Sequence, residues 1–154
     1  MKKCELFQIN EVSIGYKRRK FKIETSKIET SEDAYKLIRK AIGNKFINHH
    51  EEFWIILLDH GANVLGISKA FKGGLNRMSI DIKILFQYAI KTNASAMILL
   101  HNHPSNTLAP SKEDISITKR IIKSGKLIGI HILDHIILSD TSYYSFKNNN
   151  VLFR

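Results

Sequence analysis

A mixed α/β domain, with one sheet sandwiched by about three helices, is the fold that this sequence predicts. Three observations predict it. Short aliphatic and aromatic runs at 53–58 and 94–100 have the length and composition of buried strands. Between and around them, Ala34, Leu37, Ile38 and Ala41, and again Ile84, Leu85, Tyr88 and Ala89, recur at helical spacing. The length of 154 residues suits one domain with a real core, and no repeat, low-complexity tract or Pro/Gly-rich linker divides it.

Taken in order, residues 5–24 alternate loosely through Leu6, Ile9, Val12, Ile14, Tyr16, Phe21 and Ile23. Residues 1–29 therefore read as an extension carrying one or two edge strands. Thr30 and Asp33 have the spacing of a capping box, and Gly43 is a natural stop, so a helix spans about 30–42. Residues 53–58 form a buried strand, His60 to Asn63 turn the chain, and a second strand follows over 64–71. Gly73 and Gly74 break the pattern before a helix at 81–91. The strand at 94–100 ends at a histidine pair, and a polar loop leads to Ser111, where a helix begins that is expected to end before Gly125. Two strands, 127–133 and 135–139, and a last one at 142–146 complete the expectation.

Composition excludes several classes. The apolar runs fall far short of the roughly 20 residues of a membrane span, and the amino terminus has no apolar signal core, which makes the cytoplasm the expected location. A single cysteine, Cys4, leaves no internal disulfide and no thiolate zinc cluster. The net charge of +10 is concentrated at Lys17, Arg18, Arg19 and Lys20 and at Lys119, Arg120, Lys123 and Lys126. Such clusters attract nucleic acid weakly and without sequence preference. A solvated hairpin end and the wet face of a helix explain them as well.

The chemistry concentrates in His101-Asn102-His103-Pro104, followed by Ser111 and Asp114. Two histidines two apart at a strand end project to one side, and an aspartate one loop later can close on them. Two nitrogens and one carboxylate oxygen suit zinc with a fourth position left to water. Ser111 caps the following helix, and its hydroxyl is also a candidate donor to a developing oxyanion. Asp114 serves the same capping box, a role compatible with ligation. Hydrolysis needs a general base as well, and Glu51 and Glu52 precede the 53–58 strand on opposite faces. Which face looks toward the metal is open. In His131, Asp134 and His135 a structural hydrogen bond is expected, with support of the metal ligands as the lesser reading.

These residues resemble the JAMM (MPN-plus) metalloprotease motif and, more narrowly, the RadC-type branch of JAB-domain proteins. The likeness extends to Leu133 through Ile137, to Ser142 through Phe146, and upstream to the strand after Glu51, over roughly residues 30–148. It implies a cytidine-deaminase-like three-layer α/β/α JAB/MPN fold. It also implies a zinc held by His101, His103 and Asp114, with Ser111 stabilising an oxyanion and Glu51, two residues before Phe53, as the base. The implied activity is hydrolysis of peptide or isopeptide bonds in protein substrates, including ubiquitin-like tails, and a DNA-repair label accompanies this branch. A basic nucleic-acid-associated module with structural or vestigial zinc is the alternative. Two departures stand out: Asn106 occupies a position where the family usually has Gly, and Asp81-Ile82-Lys83 replaces an Asp-Pro-Arg-like opening.

Overall fold

Alternation of side chains along two central strands decides the layering of this protein. The structure is a computed structural model and describes residues 27–43, 50–73 and 79–153. The strands expected within 5–24, the basic run from Lys17 and Cys4 lie outside the described residues. Among the described residues eight elements follow in order: α1 Ser31–Ile42, β1 Glu52–Leu58, β2 Val64–Lys72, α2 Ile82–Lys91, β3 Ala96–Asn102, α3 Lys112–Leu127, β4 His131–Leu138 and β5 Tyr143–Ser145. The strands make one mixed sheet in the order β2-β1-β3-β4-β5. β3 and β4 run parallel, and the other pairs are antiparallel.

Even-numbered residues of β1 and β3, namely Ile56, Leu58, Ile98 and Leu100, pack with Ala34, Leu37 and Ile38 of α1. Odd-numbered ones, Phe53, Ile55, Leu57, Met97 and Leu99, pack with Leu85, Phe86 and Ala89 of α2 and Ile121 of α3. Side chains alternate across a strand, so one sheet separates α1 from α2 and α3. The result is a three-layer α/β/α sandwich, as expected.

Helix ends follow local chemistry. Both halves of the Thr30–Asp33 capping box are made, and the Gly43 N–H closes α1 on Arg39 with φ of 66°. Asp81 caps α2 through the Lys83 and Ile84 N–H groups, so its carboxylate supplies the helix start here. The α3 boundary differs from expectation. The helix continues through Gly125 to Leu127, and the stop is Gly129, in left-handed conformation at φ 72°. The Ile130 N–H then reaches back to the Gly125 carbonyl at 2.9 Å, a Schellman closure.

Gly125 has a different task, namely close approach. A Cβ there would lie 2.4 Å from the Ile130 backbone oxygen. Alanine ordinarily gains about 1 kcal/mol over glycine in a helix, whereas forcing apart packed backbone costs about 1–3 kcal/mol. Because the obstacle is backbone, the clash wins. Gly125→Ala is expected to lower the urea midpoint and melting temperature, and an unchanged midpoint would show that the 128–130 turn has slack.

The two strands expected at 127–133 and 135–139 are one strand, β4. Residue 127 still belongs to α3, and the polar Asp134-His135 pair does not interrupt pairing because both residues find partners inside. What the sequence pattern marks there is a bulge: Met97 faces Ile132 and Ile98 faces Asp134, with Leu133 extra. Leu133 packs on the α1 side and Ile132 on the α2/α3 side. Asp134 also turns to α1, where it accepts from Ser31 Oγ at 2.7 Å. The extra residue thereby sends His135 to the α3 face.

Candidate metal centre

The parallel β3-α3-β4 crossover brings the amino end of α3 to the carboxyl end of β3. His101 lies in the last turn of pairing on β3, opposite Phe53, and His103 lies just past the strand. His101 Nε2 is 2.9 Å from His103 Nε2 and 3.2 Å from Asp114 Oδ1, and His103 Nε2 is 3.3 Å from Asp114 Oδ2. His101 and Asp114 are buried and His103 is partly so. The three side chains expected to meet do meet.

Each is held from behind. His103 Nδ1 donates to the Thr107 carbonyl at 2.7 Å, and a carbonyl only accepts, so the ring hydrogen sits on Nδ1. The polar loop that supplies this carbonyl is tied by Asn106, at φ 61°, whose side-chain oxygen accepts from the Asp140 N–H at 3.0 Å. Asparagine thus takes the left-handed position without glycine. Asp114 Oδ2 accepts from Ser111 N–H at 2.8 Å and Ser111 Oγ at 2.6 Å, while Ser111 Oγ accepts from the Asp114 N–H at 3.0 Å. The capping box therefore fixes the carboxylate with Oδ1 toward His101 and Oδ2 toward His103.

This donor set fits a metal ion. With its hydrogen on Nδ1, neutral His103 aims a lone pair at His101 Nε2 and at a carboxylate, so electron pairs converge and require a cation or a proton between them. Donors about 2.0–2.1 Å from a tetrahedral zinc lie about 3.3 Å apart, close to the separations observed. Nitrogen, nitrogen and carboxylate oxygen also favour zinc over magnesium or calcium. The hydrogen bond to Asp114 raises the His103 pKa, with burial opposing. Burial disfavours charge on Asp114, but the two histidines and Ser111 outweigh it and hold that carboxyl well below the usual carboxylate range.

A pH dependence follows. Asp114 is ionised throughout the working range, whereas His103 keeps a proton to higher pH than an ordinary histidine, and a metal must displace it. Zinc affinity should fall as pH drops through the raised His103 pKa, by about tenfold per unit for one displaced proton. Chelator-competition titrations across neutral pH test this. An affinity independent of pH would show that no ligand proton is lost.

The two glutamates part company. Continuing the β1–β3 register past Phe53 and His101 sets Glu51 across from His103, on the α3 side of the sheet. Burial raises the Glu51 pKa, the Asp114 charge adds to this, and His101 and His103 oppose it. Glu52 turns to the other face and is buried, taking Lys69 Nζ and His50 Nε2 at 2.8 Å and Trp54 Nε1 at 3.1 Å. Burial opposes its ionisation, but the Lys69 and His50 hydrogen bonds prevail and lower its pKa.

Asn102, between the two histidines, was not singled out by sequence reasoning. Its side chain accepts from the Glu52 N–H at 2.8 Å and donates to the His50 carbonyl at 2.9 Å. Those backbone groups flank Glu51, whose own carbonyl takes the Gly73 N–H at 2.8 Å. The strand end carrying Glu51 is thereby tied to the strand end carrying the histidines.

Within the His131, Asp134 and His135 group, roles divide. His131 is exposed. Asp134 is a structural acceptor, binding Ser31 Oγ, Ser145 Oγ and the Lys147 N–H at 2.6–2.9 Å. His135 faces the centre: its Nε2 is 2.8 Å from His101 Nδ1 and its Nδ1 is 2.6 Å from Thr118 Oγ1. Complete burial lowers its pKa well below the ordinary histidine value. Phe53 and Phe146 wall these rings, with centroids 6.2 Å from His101 and 4.8 Å from His135 respectively. Thr118, one turn beyond Asp114, also escaped sequence reasoning; its spacing of four from a ligand on the same helix was the available signal.

Among the described residues no helix is long and apolar enough to cross a membrane. The family model described as RadC-like JAB domain matches residues 28–151. A UPF0758 protein of Flavobacterium johnsoniae is 36% identical over 129 residues, covering 84% of this chain and 55% of that protein. A UPF0758 protein of Alkaliphilus oremlandii is 39% identical over 131 residues, 85% of this chain and 55% of its own length. Another, from Alkaliphilus metalliredigens, is 46% identical over 102 residues, 66% of this chain and 44% of its own. The chain thus spans about half the length of these curated relatives.

Proposed function

This chain belongs to the RadC-like JAB-domain family, and from that premise we propose that it is a zinc-dependent hydrolase of amide bonds, peptide or isopeptide, in protein or peptide substrates. One observation carries the reading. One imidazole nitrogen, His103 Nε2, and one carboxylate oxygen, Asp114 Oδ1, converge on His101 Nε2 at 2.9 and 3.2 Å, beside a half-buried glutamate whose pKa is raised.

His101, His103 and Asp114 would hold the zinc. When bound, zinc supplies Lewis acidity, which polarises a carbonyl and brings the pKa of water from 15.7 toward about 7. Glu51 then acts as general base, taking the proton of the attacking water and handing it to the leaving amine. Its raised pKa brings it nearer the operating pH, where a base of this kind works best. Ser111 keeps its hydroxyl hydrogen on Asp114 Oδ2 while it caps the helix. Turned outward, that hydrogen would donate to the oxyanion, a contact typically worth about 3 kcal/mol.

Metal analysis of purified protein should find one zinc per chain, and a panel of peptide and isopeptide substrates should be cleaved in a chelator-sensitive way that zinc restores. Protein that takes up no zinc would end the proposal. A zinc with four protein ligands would favour a structural ion and the alternative of a nucleic-acid-associated module. Lys119, Arg120, Lys123 and Lys126 are all exposed on α3, and binding through them would weaken steeply with salt and ignore Glu51.

A further inference from the structure

Asp114 is tied to His101 twice, once across the metal centre and once behind it. Behind it, the buried Thr118 hydroxyl donates to the Asp114 backbone carbonyl. That bond uses its only hydrogen, yet Thr118 Oγ1 also lies 2.6 Å from His135 Nδ1. The nitrogen must bring the hydrogen to this contact. His135 is 0% exposed, and a second ring proton would bury a charge between two neutral partners. Its Nε2 is therefore bare. That atom lies 2.8 Å from His101 Nδ1, so His101 must donate there and keep its Nε2 lone pair for the centre.

We propose that Thr118 and His135 are positioning residues that set the ligating tautomer of His101, through one-way hydrogen bonds anchored on the backbone carbonyl of Asp114. This rests on the reading of His101, His103 and Asp114 as zinc ligands. One helix, α3, thereby supplies the carboxylate ligand and also orients an imidazole ligand on β3. The extra residue at Leu133 is part of the device, because it sends His135 rather than Asp134 to the α3 face.

The test substitutes the hydroxyl alone. Thr118→Val keeps the shape but leaves nothing to hold the hydrogen on His135 Nδ1, and Thr118→Ser restores it. Nitrogen-15 NMR of histidine-labelled, chelator-stripped protein should place the His101 hydrogen on Nδ1 in the unaltered and Ser proteins and on Nε2 in the Val protein. Zinc affinity should fall about 10–100-fold in Thr118→Val, the usual cost of losing a partner behind a ligand, and recover in Thr118→Ser. Circular dichroism and melting of each protein separate this from misfolding. A His101 hydrogen on Nε2 in the unaltered protein would overturn the proposal, as would equal zinc affinity in folded Val and Ser variants. Failure of the unaltered protein to bind zinc would instead defeat the ligand reading, and the NMR result would still decide the tautomer.

Discussion

Asp114→Asn is expected to weaken zinc binding by about a hundredfold or more while leaving the fold in place. Asparagine can still accept the Ser111 N–H that Asp114 Oδ2 takes at 2.8 Å, so the start of α3 keeps its cap. What goes is the anionic ligand 3.2 Å from His101 Nε2. Three ligands sharing roughly 10 kcal/mol of apparent binding energy lose about a third of it, and about 3 kcal/mol is about two powers of ten in Kd. A second readout accompanies the first. The hydrogen bond to Asp114 is the main cause of the raised His103 pKa, so in the stripped variant His103 should titrate closer to an ordinary histidine. A variant that binds one zinc as tightly as its parent would remove Asp114 from the ligand set.

Glu51→Gln should retain zinc and lose hydrolysis by about 10²–10⁴-fold, the range that a positioned general base contributes. Glutamine keeps the size, the bond from the Gly73 N–H to the residue-51 carbonyl and the Asn102 ties to the flanking backbone of residues 50 and 52, but it cannot take a proton. The matched control is Glu52→Gln. Glu52 is bonded to Lys69, His50 and Trp54 on the far side of the sheet, so its loss should lower stability with most of the activity kept. Full activity in Glu51→Gln, or loss confined to Glu52→Gln, would overturn the assignment. Because zinc content is measured on the same samples, a failure of chemistry is distinguished from a failure of ligation.

Much of this centre is written locally. The capping boxes at Thr30–Asp33 and Ser111–Asp114 link residues three apart, and such contacts form wherever those residues start a helix. The two histidines and the loop to Asp114 are likewise near neighbours in the chain. Boundaries that depended on packing were less legible. Gly125 resembles a helix stop, yet it serves the close approach of Ile130, and the stop falls at Gly129.

The chain alone determined the chemical repertoire: two imidazoles, one carboxylate and a pair of glutamates on opposite faces of a strand. Tertiary structure decided which glutamate faces the metal centre, because strand parity has no direction until helices cover the sheet. With α3 on the odd-numbered face, Glu51 falls on that face across from His103, and Glu52 is enclosed on the other side. The Thr118–His135–His101 chain belongs to the same category. Its members are separated by 17 and 34 residues, and a single bulge in β4 selects between His135 and Asp134. Pairing register and layer packing are properties of the whole sheet, so no local pattern could have announced them.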